Sequence, residues 1–479
     1  MNYSMIRYTL GWLLLFEGAF LILPLITAAI YWEVAFFAFL VATVISAGLG
    51  VLLTRWKPRS STLYAKDGFV IVSLSWILLS LCGALPFLFT GVTSSFVDAL
   101  FESASGFTTT GASIFAEVEW LPKSILMWRS FTHWIGGMGV LVFIMAFLPL
   151  SGGQNMHIMR AESPGPEVSK LVPRVKNTAI ILYLIYFIMT VIQFIVYLFA
   201  GMSVFEAINT AFATAGTGGF GFRNDSFASF TPTQQILVTV FMLLFSINFN
   251  SYYLVLKCKF KDAFNTEVRV FLVIVFVAIS VVAVNIYTSL DHFADFGEAV
   301  RHAAFTVASL ISTTGFSTEN FNLWPALAQT MLVLVMFIGA CAGSTGGGIK
   351  VSRIIILVKG MLRELRTIIH PRQVKKITID SRPVDHEVVR SVNAYIVTFL
   401  VLFVGSIALI SFDNHDLVTN FTAVTATMNN IGPGLSEAYA NYTCFSSFSK
   451  IVLIFDMLAG RLELFPMLIL FSPSTYKKY

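Results

Sequence analysis

The chain has 479 residues, of which 56% are hydrophobic and 12% charged, with a net charge of +5 and a mean hydropathy of +0.79. An ordinary soluble domain carries about 25% charged residues, so this composition excludes one; apolar runs of about 20 residues recurring from end to end indicate a multi-pass membrane protein. Four cysteines (Cys82, Cys258, Cys341, Cys444) and seven histidines are scattered without metal-ligand spacing, an HExxH motif or paired carboxylates, so no catalytic site, no protein-bound organic cofactor and no nucleic-acid partner are expected.

Apolar spans are predicted near 8–30 and 34–54, read as a retained N-terminal hairpin with no cleavable targeting segment. Eight more follow near 68–90, 124–150, 177–200, 231–256, 269–289, 326–358, 391–411 and 447–472. These eight fall into pairs. Within each pair lies a half-apolar segment, near 95–107, 203–214, 296–311 and 415–428, too short to cross a bilayer. Each short segment ends in a glycine motif: Thr108-Thr109-Thr110-Gly111, Ala215-Gly216-Thr217-Gly218, Ser312-Thr313-Thr314-Gly315 and Asn429-Asn430-Ile431-Gly432. Their glycines, Gly111, Gly218, Gly315 and Gly432, stand 107, 97 and 117 residues apart, the mark of a fourfold internal repeat. The expected fold is therefore all-α: a hairpin (1–66) followed by four helix–pore loop–helix repeats (67–160, 161–262, 263–376 and 377–479) around one pore.

Irregular backbone survives at membrane depth where it is buried in protein or lines water. Four such segments meet that condition by facing one another, which turns their carbonyls toward a shared axis and makes an ion-selectivity filter. The preceding short helix would point its negative C-terminal end at a cation there. Taken singly, each glycine could merely cap a helix; the fourfold recurrence favours the filter. With the N-terminus inside, 25 of the 31 basic residues fall on the cytoplasmic side, as the positive-inside rule requires. Carboxylates including Asp98, Glu102, Glu206, Asp225, Glu319, Asp416 and Glu437 then fall outside, either as a solvated loop surface or as an acidic vestibule that gathers cations.

The second span of the third repeat is interrupted by Gly343-Ser344-Thr345-Gly346-Gly347-Gly348. Each glycine costs a helix about 1 kcal/mol relative to alanine, so a break is predicted, and beneath the filter it would act as a gating loop; close helix packing on small residues is the competing reading. Ile349 separates Gly348 from Lys350, which spoils a phosphate-binding loop. Arg461 lies inside the last span, where an arginine needs a partner or water. It is read as an electrostatic barrier in the pore, with a salt bridge to Glu463 or Asp456 as the alternative. Ten basic residues between Lys350 and Arg390 suit anionic membrane lipid or the docking of a regulatory subunit.

The segments Phe101–Ala112, Gly343–Lys350, Asn429–Gly434 and Gly460–Glu463 together give the chain a resemblance to TrkH-type subunits of the Trk/Ktr/HKT superfamily of potassium transporters. The resemblance implies a pseudo-fourfold pore in the bacterial cytoplasmic (inner) membrane and K+ as the bound and transported ion. It implies K+ ligands, mainly backbone carbonyls, at Thr109, Thr110, Gly216, Thr217, Thr313, Thr314, Asn430 and Ile431, and Gly111 tilts the ion toward potassium. It further implies a homodimer and a TrkA-like cytoplasmic nucleotide-binding regulatory ring. The filters are unequal, so some sodium permeation is expected. A proton- or sodium-coupled potassium symporter is the alternative, for which Glu17, Asp456, Arg461 and Glu463 are candidate ionisable groups in the spans.

Overall fold

A computed structural model of the chain describes residues 1–58, 64–139, 175–290, 293–371 and 376–477. The predicted span 124–150 beyond residue 139, and Arg59, Arg160, Lys170, Arg174 and Asp291 of the predicted charged faces, lie outside these described residues.

The described residues are helical almost throughout. The hairpin comprises Tyr3–Phe20 with Ile22–Ile30, and Ala35–Thr54. Its arms touch through small residues: a Cβ built on Gly50 would stand 2.9 Å from the Gly11 carbonyl oxygen, the close backbone approach by which membrane helices gain packing contacts. Each repeat then opens on a long apolar helix. These spans are Lys66–Phe89, Ala179–Phe199, Thr266–Ser289 and His386–Asp413. Their outer faces carry exposed Phe276, Val401 and Val404, which is stable against lipid and not against water.

The short helices are Phe96–Phe107, Val204–Ala215, Phe296–Ile311 and Leu417–Met428, within two residues of the predicted bounds. Their starts follow from capping chemistry. Ser95, Ser203, Asp295 and Asp416 each accept a backbone N–H of the first turn, satisfying donors that a helix start leaves without intrahelical partners.

The second helices depart from expectation. The sequence predicts a break in the third repeat alone, yet among the described residues interruptions occur in the second, third and fourth. In the first repeat the described helix is Lys123–Gly137. Pro232–Phe245 and Phe249–Leu256 meet at 90°; Ala326–Ile338 and Val351–Ile369 flank the third break; Ser447–Arg461 and Phe465–Phe471 flank the fourth. The continuous spans expected at 231–256 and 447–472 are thus corrected. In the second repeat Asn248 accepts the Asn250 N–H and starts a new helix. In the fourth, Glu463 and Leu464 adopt positive φ just before Pro466, which suits a helix start and not a helix interior. The backbone groups freed by the bend in the second repeat are taken up by the third-repeat loop: Cys341 N–H donates to Ser246 O at 3.1 Å and Phe249 N–H to Gly343 O at 3.0 Å. Such mutual satisfaction is what permits broken helices inside a membrane.

Candidate ion pathway

The four short helices end alike. Thr108, Gly216, Ser312 and Asn429 occupy the C-caps, and the next residue of each chain segment has positive φ: Thr109 (58°), Thr217 (54°), Thr313 (60°) and Asn430 (55°). The following N–H reaches five residues back, Thr110 to Ser105 O at 2.9 Å, Gly218 to Ala213 O at 2.9 Å, Thr314 to Ser309 O at 2.8 Å and Ile431 to Ala426 O at 2.8 Å. This is a Schellman ending, which ordinarily puts glycine at the left-handed position. Three of the four positions hold threonine, whose β-branch makes that conformation strained by about 1–3 kcal/mol. Strain retained at corresponding points of three repeats marks a site whose backbone direction matters more than its local stability.

The shared geometry also sets the register. One residue further on, Gly111, Gly315 and Gly432 have positive φ, and in the second repeat the corresponding residue is Gly219 (79°). The second segment therefore runs one residue later than the motif match suggested. Gly216 stands with the C-caps and Gly218 with Thr110, Thr314 and Ile431.

These glycines close a ring. A Cβ on Gly111 would lie 1.9 Å from Gly218 O, one on Gly219 1.8 Å from Thr314 O, one on Gly315 2.3 Å from Ile431 O, and one on Gly432 2.7 Å from Thr110 O. Each repeat thus abuts the carbonyl of the next in the order one, two, three, four and back to one. No side chain fits at these four contacts, which is the physical requirement for glycine there. Asn430 Nδ2 ties the last seam by donating to Thr110 Oγ1 at 3.0 Å and to Met457 O at 2.9 Å.

Above the ring is a cavity of about 380 Å³ lined by Gly111, Gly219, Gly315 and Gly432. Asp225 and Glu319 line it, but so do Arg129 and Arg223. The mouth is therefore less acidic than the sequence suggests: both arginines and several carboxylates cancel in ion pairs, and Asp225 and Glu319 leave it net negative. Glu206 pairs with Arg223 at 2.6 Å and Asp98 with Lys450 at 2.6 Å. Glu102, fully buried, accepts from Arg129 Nε at 2.7 Å, from Ser113 Oγ at 3.1 Å and from Ile114 N–H at 2.9 Å. It clamps the strand leaving the first filter to its own pore helix. His133 makes a related clamp. Phe220 N–H donates to its Nε2 at 3.1 Å, so Nδ1 carries the proton and donates to Gly106 O at 2.8 Å. The sequence reading passed over Arg129 and His133, whose partners are up to 92 residues away.

Below the ring lies the glycine-rich loop. Gly347 N–H donates to Thr313 Oγ1 at 2.7 Å and Gly348 N–H to Asn429 O at 3.0 Å. A Cβ on Gly347 would stand 2.3 Å from Asn429 O. The loop is thus pressed against the third and fourth filter segments. Glu267 holds both its ends, accepting from Ala342 N–H at 2.7 Å and Ser352 N–H at 3.1 Å, while Lys350 Nζ donates to Gly346 O. Ser344 Oγ donates to Cys341 O at 2.6 Å and Thr345 Oγ1 to Phe245 O at 3.2 Å.

Arg461 crosses this level. Its guanidinium donates to Thr345 O in the loop at 2.9 Å, and to Gly136 O at 2.5 Å and Gly137 O at 2.7 Å at the end of the first repeat's helix. Of the two carboxylates weighed as its partners, Glu463 pairs with Arg353 and Asp456 accepts from Ser406 Oγ at 2.7 Å. The arginine therefore joins the fourth repeat to the third-repeat loop and to the first repeat through carbonyls.

A family model described as TrkH, cation transport protein, matches residues 33–478. The chain belongs to the TrkH family. The Trk system potassium uptake proteins TrkH of Halomonas elongata and of Escherichia coli K12 are each 35% identical to it over 491 residues, covering all of both chains. The Trk system potassium uptake protein TrkG of E. coli K12 is 32% identical, covering 98% of this chain and 99% of that protein. The crystal structure of the potassium transporter TrkH from Vibrio parahaemolyticus matches with a TM-score of 0.90 at 32% identity over the whole of both chains. The helix–pore loop–helix architecture expected from the sequence is thus a TrkH fold, and membership of the TrkH family makes this chain a transport protein, not an enzyme.

Proposed function

We propose that this chain is a Trk-system potassium uptake subunit of the bacterial cytoplasmic membrane that conducts K+ through the four-segment ring under control of the 343–348 loop. Its full-length relatives are potassium uptake proteins. The observation that carries the reading is the closed order of glycine-to-carbonyl contacts around the four repeats, since a ring of carbonyls from four segments supplies the oxygen ligands a dehydrated cation needs. The ligand carbonyls are those of Thr109 and Thr110, Thr217 and Gly218, Thr313 and Thr314, and Asn430 and Ile431. Gly216 yields its place to Gly218 in this assignment, because its backbone is equivalent to that of Thr108.

Gly343, Ser344, Thr345, Gly346, Gly347 and Gly348 form the gate, latched by Arg461. The ring's unequal side chains, with Asn430 and Ile431 where the first and third repeats have threonines, allow Na+ to pass less favourably than K+. The basic segment 350–390 docks a cytoplasmic nucleotide-binding ring, whose pull on Val351–Ile369 moves the loop; two copies of the chain assemble with it. The hairpin and four repeats act as one unit divided near residues 66, 160, 262 and 376.

The test is flux into proteoliposomes carrying the purified chain. K+ uptake should exceed Na+ uptake and follow the electrochemical gradient, with no dependence on an imposed proton gradient at fixed membrane potential. Loss of every monovalent cation flux, with and without a co-purified nucleotide-binding protein, would overturn the reading.

A further inference from the structure

We infer that His415, Glu437 and Cys444 form a binding site for a borderline divalent cation of the zinc class on the outer rim of the fourth repeat. One ligand atom from each, the imidazole nitrogen, a carboxylate oxygen and the thiol sulfur, lies within 4.8 Å of the others. Tetrahedral zinc, with bonds of about 2.0–2.3 Å, sets such atoms about 3.3–3.6 Å apart. Side-chain rotation of about 1 Å closes the site, and Glu437 and Cys444 are exposed and free to make it.

The histidine is already oriented for a metal. Its Nδ1 lies 2.6 Å from Glu437 Oε2, a hydrogen-bond distance in which Nδ1–H donates to the carboxylate. Its Nε2 faces Cys444 O at 3.3 Å. A divalent ion that displaces the Nδ1 proton and parts the two groups leaves the ring proton on Nε2, facing that carbonyl. A ring nitrogen bound to metal while the other N–H is held by a backbone carbonyl is the usual arrangement around a ligating histidine. Phe445, edge-on at 5.0 Å, fixes the ring. The mixed nitrogen, oxygen and sulfur set disfavours Ca2+, Mg2+ and K+, which take oxygen ligands, and suits Zn2+ or Cd2+.

The site is separate from the pathway, for none of its residues lines the cavity above the ring. Its placement still matters to the filter. His415 adjoins Asp416, the cap of the fourth short helix; Glu437 lies in the turn Ser436–Ala438 that follows the fourth filter segment; Cys444 precedes the helix Ser447–Arg461. A metal would tie together the three segments that support that filter from outside.

The test uses the purified full-length chain, reduced and metal-free, so its outcome does not depend on transport. Titration with Cd2+ should give a thiolate-to-metal charge-transfer band saturating at one ion per chain, and Zn2+ should compete for it. Cys444→Ser should remove the band, His415→Ala and Glu437→Gln should weaken binding by at least ~10-fold, and Cys258→Ser should change nothing, with size-exclusion profiles reporting the fold of each. A band that survives Cys444→Ser, or unaltered affinity in His415→Ala and Glu437→Gln, would overturn the site and leave His415 and Glu437 as a hydrogen-bonded pair only.

Discussion

Arg461→Ala is expected to raise potassium uptake. In the structure the loop is held to this side chain by the bond from Arg461 Nη1 to Thr345 O at 2.9 Å, while the other arm of the guanidinium stays anchored on Gly136 O and Gly137 O. Moving the loop aside breaks the first bond and leaves the anchors. A hydrogen bond from a charged donor contributes about 1.5–3 kcal/mol, so its removal shifts the closed-to-open ratio about 10- to 150-fold, at 1.4 kcal/mol for each factor of ten. The fixed charge adds to this: a K+ ion passing within about 5 Å meets about 3 kcal/mol of repulsion at an effective dielectric near 20. Initial rates of K+ uptake into proteoliposomes, normalised to folded protein, should therefore increase at least ~10-fold. Arg461→Lys separates the two contributions, because it keeps the charge and loses the fork that spans Thr345 and the glycine carbonyls; its rate should fall between those of the parent and Arg461→Ala. Uptake by Arg461→Ala equal to or below that of the parent, in protein that elutes normally, would refute both the latch and the barrier.

The register of the second filter segment can be checked with alanine. Gly219→Ala, whose Cβ would stand 1.8 Å from Thr314 O, and Gly111→Ala, at 1.9 Å from Gly218 O, should both abolish uptake, whereas Gly221→Ala, with nothing nearer than 3.6 Å, should leave uptake unchanged. Gly347→Ala pushes the loop off Asn429 O and should raise unregulated flux in correctly inserted protein. Glu102→Ala strands Arg129 in a dry site and should destabilise the protein by about 3–5 kcal/mol, read as a large fall in the thermal unfolding temperature; loss of the half-exposed Glu206–Arg223 pair should cost less than about 1 kcal/mol. Thr109→Gly removes about 1–3 kcal/mol of backbone strain, so it should raise the unfolding temperature while lowering the K+/Na+ flux ratio through a looser filter.

Much of this architecture was legible in the residues. Apolar runs and recurring glycines are local signals, and they located the hairpin, the four short helices and the 343–348 loop to within a few positions. The register of the second segment was not legible, because Gly216-Thr217-Gly218-Gly219 offers three glycines and the backbone selects the last. Nor were the breaks in the second and fourth repeats. Ser246-Ile247-Asn248 is not a strong helix breaker and bends where the third-repeat loop takes up its freed backbone groups; the fourth break does carry a local signal, Pro466, which the length of the apolar run masked.

The sequence by itself determined that four like units would insert, pair their helices and present four short polar turns at one depth, because hydrophobicity, capping and glycine conformation act over a few residues. Only the tertiary structure decided which carbonyl each glycine meets, that Glu102 and Arg129 neutralise each other, that Arg461 bridges the third repeat to the first, and that His415, Glu437 and Cys444 converge. Those are meetings between residues tens to hundreds of positions apart, and the energy that fixes them comes from satisfying buried polar groups in a medium with no water to do it.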